Sequence, residues 1–326
     1  MKGLRDRIIE SVGEDLLQIE KALLDNLNPY LPLVSHVGRY ILFSGGKRIR
    51  PLLMVLSARI CGYSGNQDKR FSAIFEYIHA ATLLHDDIVD GAEIRRGNPV
   101  SHSIWGNPAT VLVGDFLLSR SISLATEAGS VKILKILADT TAQMSEGEIE
   151  QLLNRDNPDI SELDYMEVIK RKTACLIQAA CHVGAILAEA TQEQEKAMAD
   201  YGYNLGVAFQ IADDLLDYVA STDVFGKSTG KDLKEGKLTL PLIHALGNAT
   251  AEDRERMIAI VKDSDTTVRE FEEMVNFIEK YGGFSYAKDR ARHFVSEAKK
   301  SLSIFKPSNT RETLSLLADY VLEREL

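Results

Sequence analysis

Apolar residues recur at spacings of three and four almost from end to end of this chain, and alternating strand-like runs are scarce. That period predicts helices at roughly 4–27, 35–44, 51–62, 70–90, 108–128, 130–154, 161–190, 192–218, 238–246, 251–263, 267–280, 284–303 and 309–324. Prolines supply the punctuation. Pro29 and Pro32 break the region after the first helix, and Pro51 opens another. Pro99 and Pro108 bracket a loop, Pro158 separates two long helices, and Pro241 and Pro307 stand near helix starts. No low-complexity linker divides the chain, so the expectation is one all-α domain spanning 1–326.

Composition narrows the class. With 326 residues, 45% of them hydrophobic, the chain can bury a large core. A net charge of -10 argues against nucleic-acid binding, which favours a basic surface. Cys61, Cys175 and Cys181 sit among apolar residues and read as reduced, buried thiols of a cytoplasmic protein. The first residues form a charged amphipathic stretch without a signal-peptide core, and no uninterrupted apolar run reaches the roughly 18 residues of a spanning helix. The expectation is a soluble protein with no membrane span.

Against this background one acidic pattern occurs twice. Asp86-Asp87-Ile88-Val89-Asp90 and Asp213-Asp214-Leu215-Leu216-Asp217 each place aspartates at i, i+1 and i+4 among apolar residues. On a helix, Asp86 and Asp90 share a face, as do Asp213 and Asp217. At about 5 Å and an effective dielectric near 20, each such pair repels by roughly 3 kcal/mol. A divalent cation turns that repulsion into attraction, and hard oxygen donors suit Mg2+ shared with substrate phosphates. An acidic patch on a solvated helix is the plain reading of either motif alone. The apolar flanks of both, Ala80, Leu83 and Leu84 in one and Phe209, Ile211 and Leu215 in the other, argue against it.

Basic residues follow each motif. Arg95 and Arg96 stand in a Gly/Pro-terminated loop and can fork onto phosphate oxygens. Upstream, Gly45-Gly46-Lys47-Arg48-Ile49-Arg50-Pro51 puts cations before a helix start. His79 lies two helical turns before Asp86 on nearly the same face. In the second half, Gln210 precedes Asp213 by one turn. Lys227, Lys231 and Lys237 are spaced among glycines like a cationic flap, without the order of a P-loop. Lys172-Thr173 interrupts a long apolar helix. Taken singly, each basic cluster reads as a solvated loop, and Lys172 as a surface residue with a buried stem.

Together these stretches resemble the trans-isoprenyl diphosphate synthases, specifically the long-chain octaprenyl type. The matching segments are Gly45–Pro51, His79–Gly97, Val113–Phe116, Lys172-Thr173, Phe209–Tyr218 and Phe225–Pro241. The resemblance implies an isoprenoid synthase fold, all-helical around a deep central cavity, and a homodimer. It implies Mg2+ held by Asp86, Asp90 and Asp213, with Asp87 and Asp217 close by. Arg95, Lys172, Lys227 and Lys237 would contact an allylic diphosphate, farnesyl or geranylgeranyl. Lys47, Arg50, His79 and Arg96 would hold isopentenyl diphosphate, and Thr173 and Gln210 would stabilise the carbocation. The released pyrophosphate would take the proton, and the product would serve quinone side chains, with peripheral membrane contact for its release.

The helix before the first motif also bears on product length. Ile74, Ile78, Ala81 and Thr82 form a wall on an adjoining face. In the family, aromatics four or five positions before the motif stop growth early. Here Thr82 and Ala81 are small, so a wall about 10 Å tall predicts a product longer than C20, about C40. The competing readings are a shorter-chain synthase, a class I terpene cyclase and a non-catalytic partner subunit. The second aspartate motif disfavours the cyclase, and six intact aspartates disfavour the subunit.

Overall fold

In the computed structural model, residues 3–219, 230–263 and 266–323 are described. They form sixteen α-helices, a two-stranded hairpin, one π-helical and one 3-10 segment. The chain separates into two compact units. One comprises the residues up to Thr141 with Ala179–Ala199 and Ile304–Leu314; the other comprises Ala142–Gln178, Asp200–Ser303 and the residues from Ser315.

The first unit is organised on α4 (Asp68–Val89), which packs against α1 (Leu4–Leu27), α3 (Ile49–Ile60) and α6 (Asn107–Thr126). Every residue from Phe71 to Ile78 is buried, as is expected of a helix surrounded by others. The Tyr77 hydroxyl donates to the Leu23 carbonyl at 2.6 Å and so ties α4 to α1 without an unsatisfied buried polar atom. Gly114 of α6 allows an intimate contact with α4, because a Cβ there would lie 2.3 Å from His85 Nε2. By length and composition α6 could cross a membrane, the one such helix among the described residues. It carries Asp115 and Arg120, however, and part of its apolar surface is spent on α4.

The end of α4 is fixed by backbone geometry. Gly91 has φ 60, and the N–H groups of Gly91 and Ala92 return to the carbonyls of Ile88 and Asp87 at 3.2 and 2.9 Å. This is a Schellman closure, which a residue with a Cβ adopts poorly. A hairpin follows, β1 (Ile94–Arg95) and β2 (Asn98–Pro99), turning on Arg96 and Gly97 with φ 51 and 80. Periodicity alone does not reveal so short a sheet, and the sequence predicts a loop here. Between the hairpin and α6 lies α5 (Ser101–Trp105), and α6 takes Pro108 into its first turn.

In the second unit α8 (Glu162–Ile169) starts on a capping box between Ser161 and Asp164. Its side chains Tyr165 and Ile169 join Val207, Ile211 and Leu215 of α10 (Gln192–Val219), with Leu240 of α12 (Leu240–Asn248) and Ala287 and Ala291 of α15 (Gly283–Ser301), in one buried cluster. A second cluster is built on α14 (Val268–Lys280), whose Phe271, Met274 and Ile278 meet Leu242, Met257 and Ile260. Each such side chain contributes roughly 1.5–3 kcal/mol by leaving water.

One expected helix is interrupted. Where the sequence predicts a continuous helix over 161–190, Lys170–Ala174 forms a π-helical turn between α8 and α9 (Cys175–Leu187). Two neighbouring glycines leave room for its backbone. A Cβ at Gly147 of α7 (Val131–Leu153) would sit 2.8 Å from Lys172 N, and one at Gly206 of α10 would sit 2.7 Å from the Ala174 Cα. Backbone can approach from both sides only because those side chains are absent.

Candidate active site

Both aspartate motifs occupy the C-terminal turns of long helices, α4 and α10. The helix dipole is negative there, which adds to the carboxylate repulsion and to the attraction for cations. Within the first unit the three aspartates differ sharply. Asp86 and Asp90 are half-buried, and Asp90 caps the helix with its N–H on the Asp86 carbonyl at 2.8 Å. Asp87 is 1% exposed and faces inward. Arg95 forks onto it, with Nε at 2.8 and 3.0 Å from the two oxygens and the terminal nitrogen at 2.7 Å. Two predicted site residues, one expected near a metal and one expected on a diphosphate, thus hold each other.

The structure brings the two basic segments of the first unit together. Arg96, at the hairpin turn, donates to the Gly45 carbonyl, bringing the Arg95-Arg96 hairpin to the segment that leads into α3. Arg48 is buried in a left-handed conformation, paired with Glu76 at 2.9 Å and lying 5.3 Å from the Phe43 ring centre. Burial pushes His79 well below the usual imidazole range, and the charges of Arg50, Arg96, Arg95 and Arg48 act in the same direction. A neutral imidazole adds no further positive charge among these guanidinium groups. Lys47 is exposed, and Arg50 is half-buried.

Of the expected chain-length wall, Ile74, Ile78 and Ala81 are buried. Thr82 is half-buried, and its hydroxyl returns to the His79 carbonyl at 2.9 Å.

In the second unit Asp213 is exposed while Asp214 is buried. Asp214 accepts from the Tyr165 hydroxyl at 2.6 Å and from Gln210 Nε2 at 2.7 Å. Burial pushes its carboxyl up to about 7, opposed by those two donors and assisted by Asp213 and Asp217. Gln210 accepts in turn from the Thr173 hydroxyl at 2.8 Å. Lys172, on the same π-turn, reaches Glu148 at 2.9 and 2.6 Å and Gln151 at 2.6 Å.

Asp217 receives the N–H groups of Lys231 and Asp232, at 3.3 and 3.0 Å, from the start of α11 (Lys231–Lys234). Lys237 is half-buried on Glu235 at 2.6 Å. Its backbone is fixed beside Gly236, whose carbonyl accepts from Asp156 N at 2.9 Å. Lys227 lies outside the described residues.

Several contributors escape sequence reasoning. Tyr165 carries no sequence signal of its role, since it is one apolar-face residue among many. Glu148 and Gln151 could have been found from their spacing of three on a helix that also carries Gly147. Arg48 is visible in the basic loop, but its burial is not.

Among the described residues no three His, Cys, Asp or Glu side chains are gathered to hold a metal by themselves. The carboxylates of Asp86, Asp90 and Asp213 suit Mg2+ all the same, because that ion takes one or two carboxylates and completes its shell with water and substrate phosphate.

A fold of helices carrying two aspartate-rich turns with a guanidinium cluster defines a class, and the comparison with known proteins names it. The polyprenyl synthetase family model matches residues 31–278, and the chain belongs to that family. Among its relatives, the octaprenyl diphosphate synthase of Escherichia coli is 40% identical over 320 residues, covering 98% of this chain and 99% of that protein. The octaprenyl diphosphate synthase of Haemophilus influenzae is 40% identical over 319 residues, covering 98% and 97%. Of solved structures, a decaprenyl diphosphate synthase from Rhodobacter capsulatus superposes with a TM-score of 0.92 at 38% identity over 98% of each chain. A polyprenyl synthase from Caulobacter crescentus, complexed with calcium and isoprenyl diphosphate, gives 0.92 at 36% identity over 98% of each chain.

Proposed function

We propose that this protein is a long-chain trans-polyprenyl diphosphate synthase in which the whole chain, 1–326, acts as one catalytic domain. It joins isopentenyl diphosphate head to tail onto an allylic diphosphate, farnesyl or geranylgeranyl, and repeats the step to an all-trans octaprenyl product. The observation that carries this reading is the junction of the Arg95-Arg96 hairpin with the Gly45 segment, which gathers guanidinium groups around His79 while Arg95 forks onto Asp87 of the Asp86–Asp90 turn. A terpene cyclase has no need of a second diphosphate site.

Asp86, Asp90 and Asp213 are the proposed holders of Mg2+, with Asp87 and Asp217 acting through Arg95 and α11. When bound, Mg2+ neutralises charge on the departing diphosphate as a Lewis acid. Arg95, Lys172, Lys227 and Lys237 bind the allylic diphosphate, and its departure leaves an allylic cation. Lys47, Arg50, His79 and Arg96 orient isopentenyl diphosphate so that its double bond meets that cation. Thr173 and Gln210 offer oxygen lone pairs to the positive charge. The released pyrophosphate takes the proton, so no nucleophilic side chain is needed. The proposed assembly is a cytoplasmic homodimer that touches the membrane peripherally to deliver product.

Incubation of the pure protein with Mg2+, farnesyl diphosphate and labelled isopentenyl diphosphate tests the reading. The expected result is a ladder ending near octaprenyl diphosphate; no elongation would overturn it. A ladder ending at or below geranylgeranyl would favour the shorter-chain reading, in keeping with the 38% identity to a short chain isoprenyl diphosphate synthase of Methanothermobacter thermautotrophicus.

A further inference from the structure

The hydrogen bonds Thr173–Gln210–Asp214–Tyr165 form one chain, and a chain of this kind has a direction. Its members span the π-turn, α10 and α8. Asp214 is buried, and in its ionised form its carboxylate only accepts. The Tyr165 hydroxyl therefore donates to it from one side, and Gln210 must turn its amide nitrogen towards it from the other. That orientation leaves Gln210 Oε1 facing Thr173, whose hydroxyl must donate. The Thr173 hydroxyl proton is thereby committed to Gln210, and the remaining polar surface of its oxygen is lone pair. An oxygen in that state stabilises a neighbouring positive charge; one that presents its proton does not.

We infer that Asp214 is a positioning residue: by accepting from Gln210 and Tyr165 it sets the direction of the hydrogen-bond chain, so that Thr173 presents lone pairs to the allylic cation. The inference deepens the proposed function and rests on it. It also separates Asp214 from Asp213 and Asp217, because both its oxygens are occupied inside the protein.

Asp214→Asn preserves shape and reverses the chain. The buried Tyr165 hydroxyl has no other acceptor among the described residues, so it donates to the new amide oxygen, the new amide nitrogen faces Gln210, and Gln210 must flip to accept. Its own nitrogen now faces Thr173, which becomes an acceptor and turns its proton outward. Adding Gln210→Glu restores the original direction, because the introduced carboxylate accepts both from the introduced amide and from Thr173. The double variant also keeps the wild-type net charge. Tyr165→Phe removes a donor but leaves the direction intact.

The test is the single-turnover rate of the first condensation in mildly alkaline buffer, with farnesyl diphosphate, isopentenyl diphosphate and Mg2+ varied in turn. Asp214→Asn is expected to slow that rate by roughly tenfold to a hundredfold. Substrate KM values and the Mg2+ half-saturation should stay within about twofold. The Gln210→Glu addition should recover most of the loss, and Tyr165→Phe should stay within a few-fold of wild type. A double variant as slow as Asp214→Asn would overturn the inference. So would rescue of Asp214→Asn by excess Mg2+, or a Tyr165→Phe rate as low as that of Asp214→Asn. Should Asp214→Asn fail to fold, the double variant and Tyr165→Phe still decide the matter. A wild-type protein that makes no polyprenyl diphosphate defeats the functional reading itself, whatever the variants do.

Discussion

Asp87 shows how one residue can be legible in type and hidden in role. The motif around it is evident in the sequence, yet its carboxylate lies inward under Arg95. Asp87→Ala would leave that guanidinium without its partner. We expect a loss of about 3 kcal/mol in unfolding free energy and a fall in kcat/KM for the allylic diphosphate, read by denaturant titration and steady-state kinetics. His79 gives a pH prediction. Its folded pKa lies below the unfolded value, so the unfolded chain binds the proton first as pH falls. The stability it contributes is complete above about pH 6.5 and is lost progressively as pH falls towards and through the folded value. His79→Gln should flatten that part of the stability curve, measured by urea midpoints between pH 7 and 5. The thiols act in the opposite sense. Burial pushes Cys61 and Cys181 up to about 12, so both should resist alkylation in native protein at mildly alkaline pH and react rapidly once it is unfolded.

At the scale of elements, the π-turn at Lys170–Ala174 carries the site's geometry. Gly147 and Gly206 let two helices close on its backbone. Gly206→Ala would force a Cβ to within 2.7 Å of the Ala174 Cα. We expect about 1–3 kcal/mol of destabilisation. The larger loss should be in activity, since Thr173 would move away from Gln210. Circular dichroism melts alongside turnover assays separate the two effects, and an active Gly206→Ala enzyme would show that the π-turn is incidental. Periodicity predicts a helix through this region correctly but cannot register one inserted residue per turn. The hairpin at Ile94–Pro99 is hidden for a related reason. Two residues a strand are too few for an alternating pattern, and only the positive φ of Arg96 and Gly97 reveals it.

For the whole molecule the readout is product length. The wall residues Ile74, Ile78 and Ala81 lie on the central helix of the first unit, and all are buried. A phenyl ring at position 81 would project one turn or so from the aspartates. Ala81→Phe is therefore expected to shift the product ladder to shorter chains while the first condensation continues, as thin-layer or mass analysis would show. An unchanged ladder would mean that Ala81 only packs between helices. Chelation of divalent metal should stop elongation and leave the helical fold intact, because the described residues build their cores from apolar clusters, Phe271, Met274 and Ile278 among them.

The sequence by itself determined the helical architecture, the two aspartate turns and the chemistry that they imply. Apolar period and local charge are properties of neighbouring residues, and neighbours on a helix are neighbours in the chain. Tertiary structure alone decided which aspartates face outward, which arginine holds Asp87, and that Tyr165 stands behind Asp214. Those outcomes depend on burial and on partners 8 to 49 positions away. No periodic pattern encodes such separations, because they are fixed only when helices close on one another through the small residues between them.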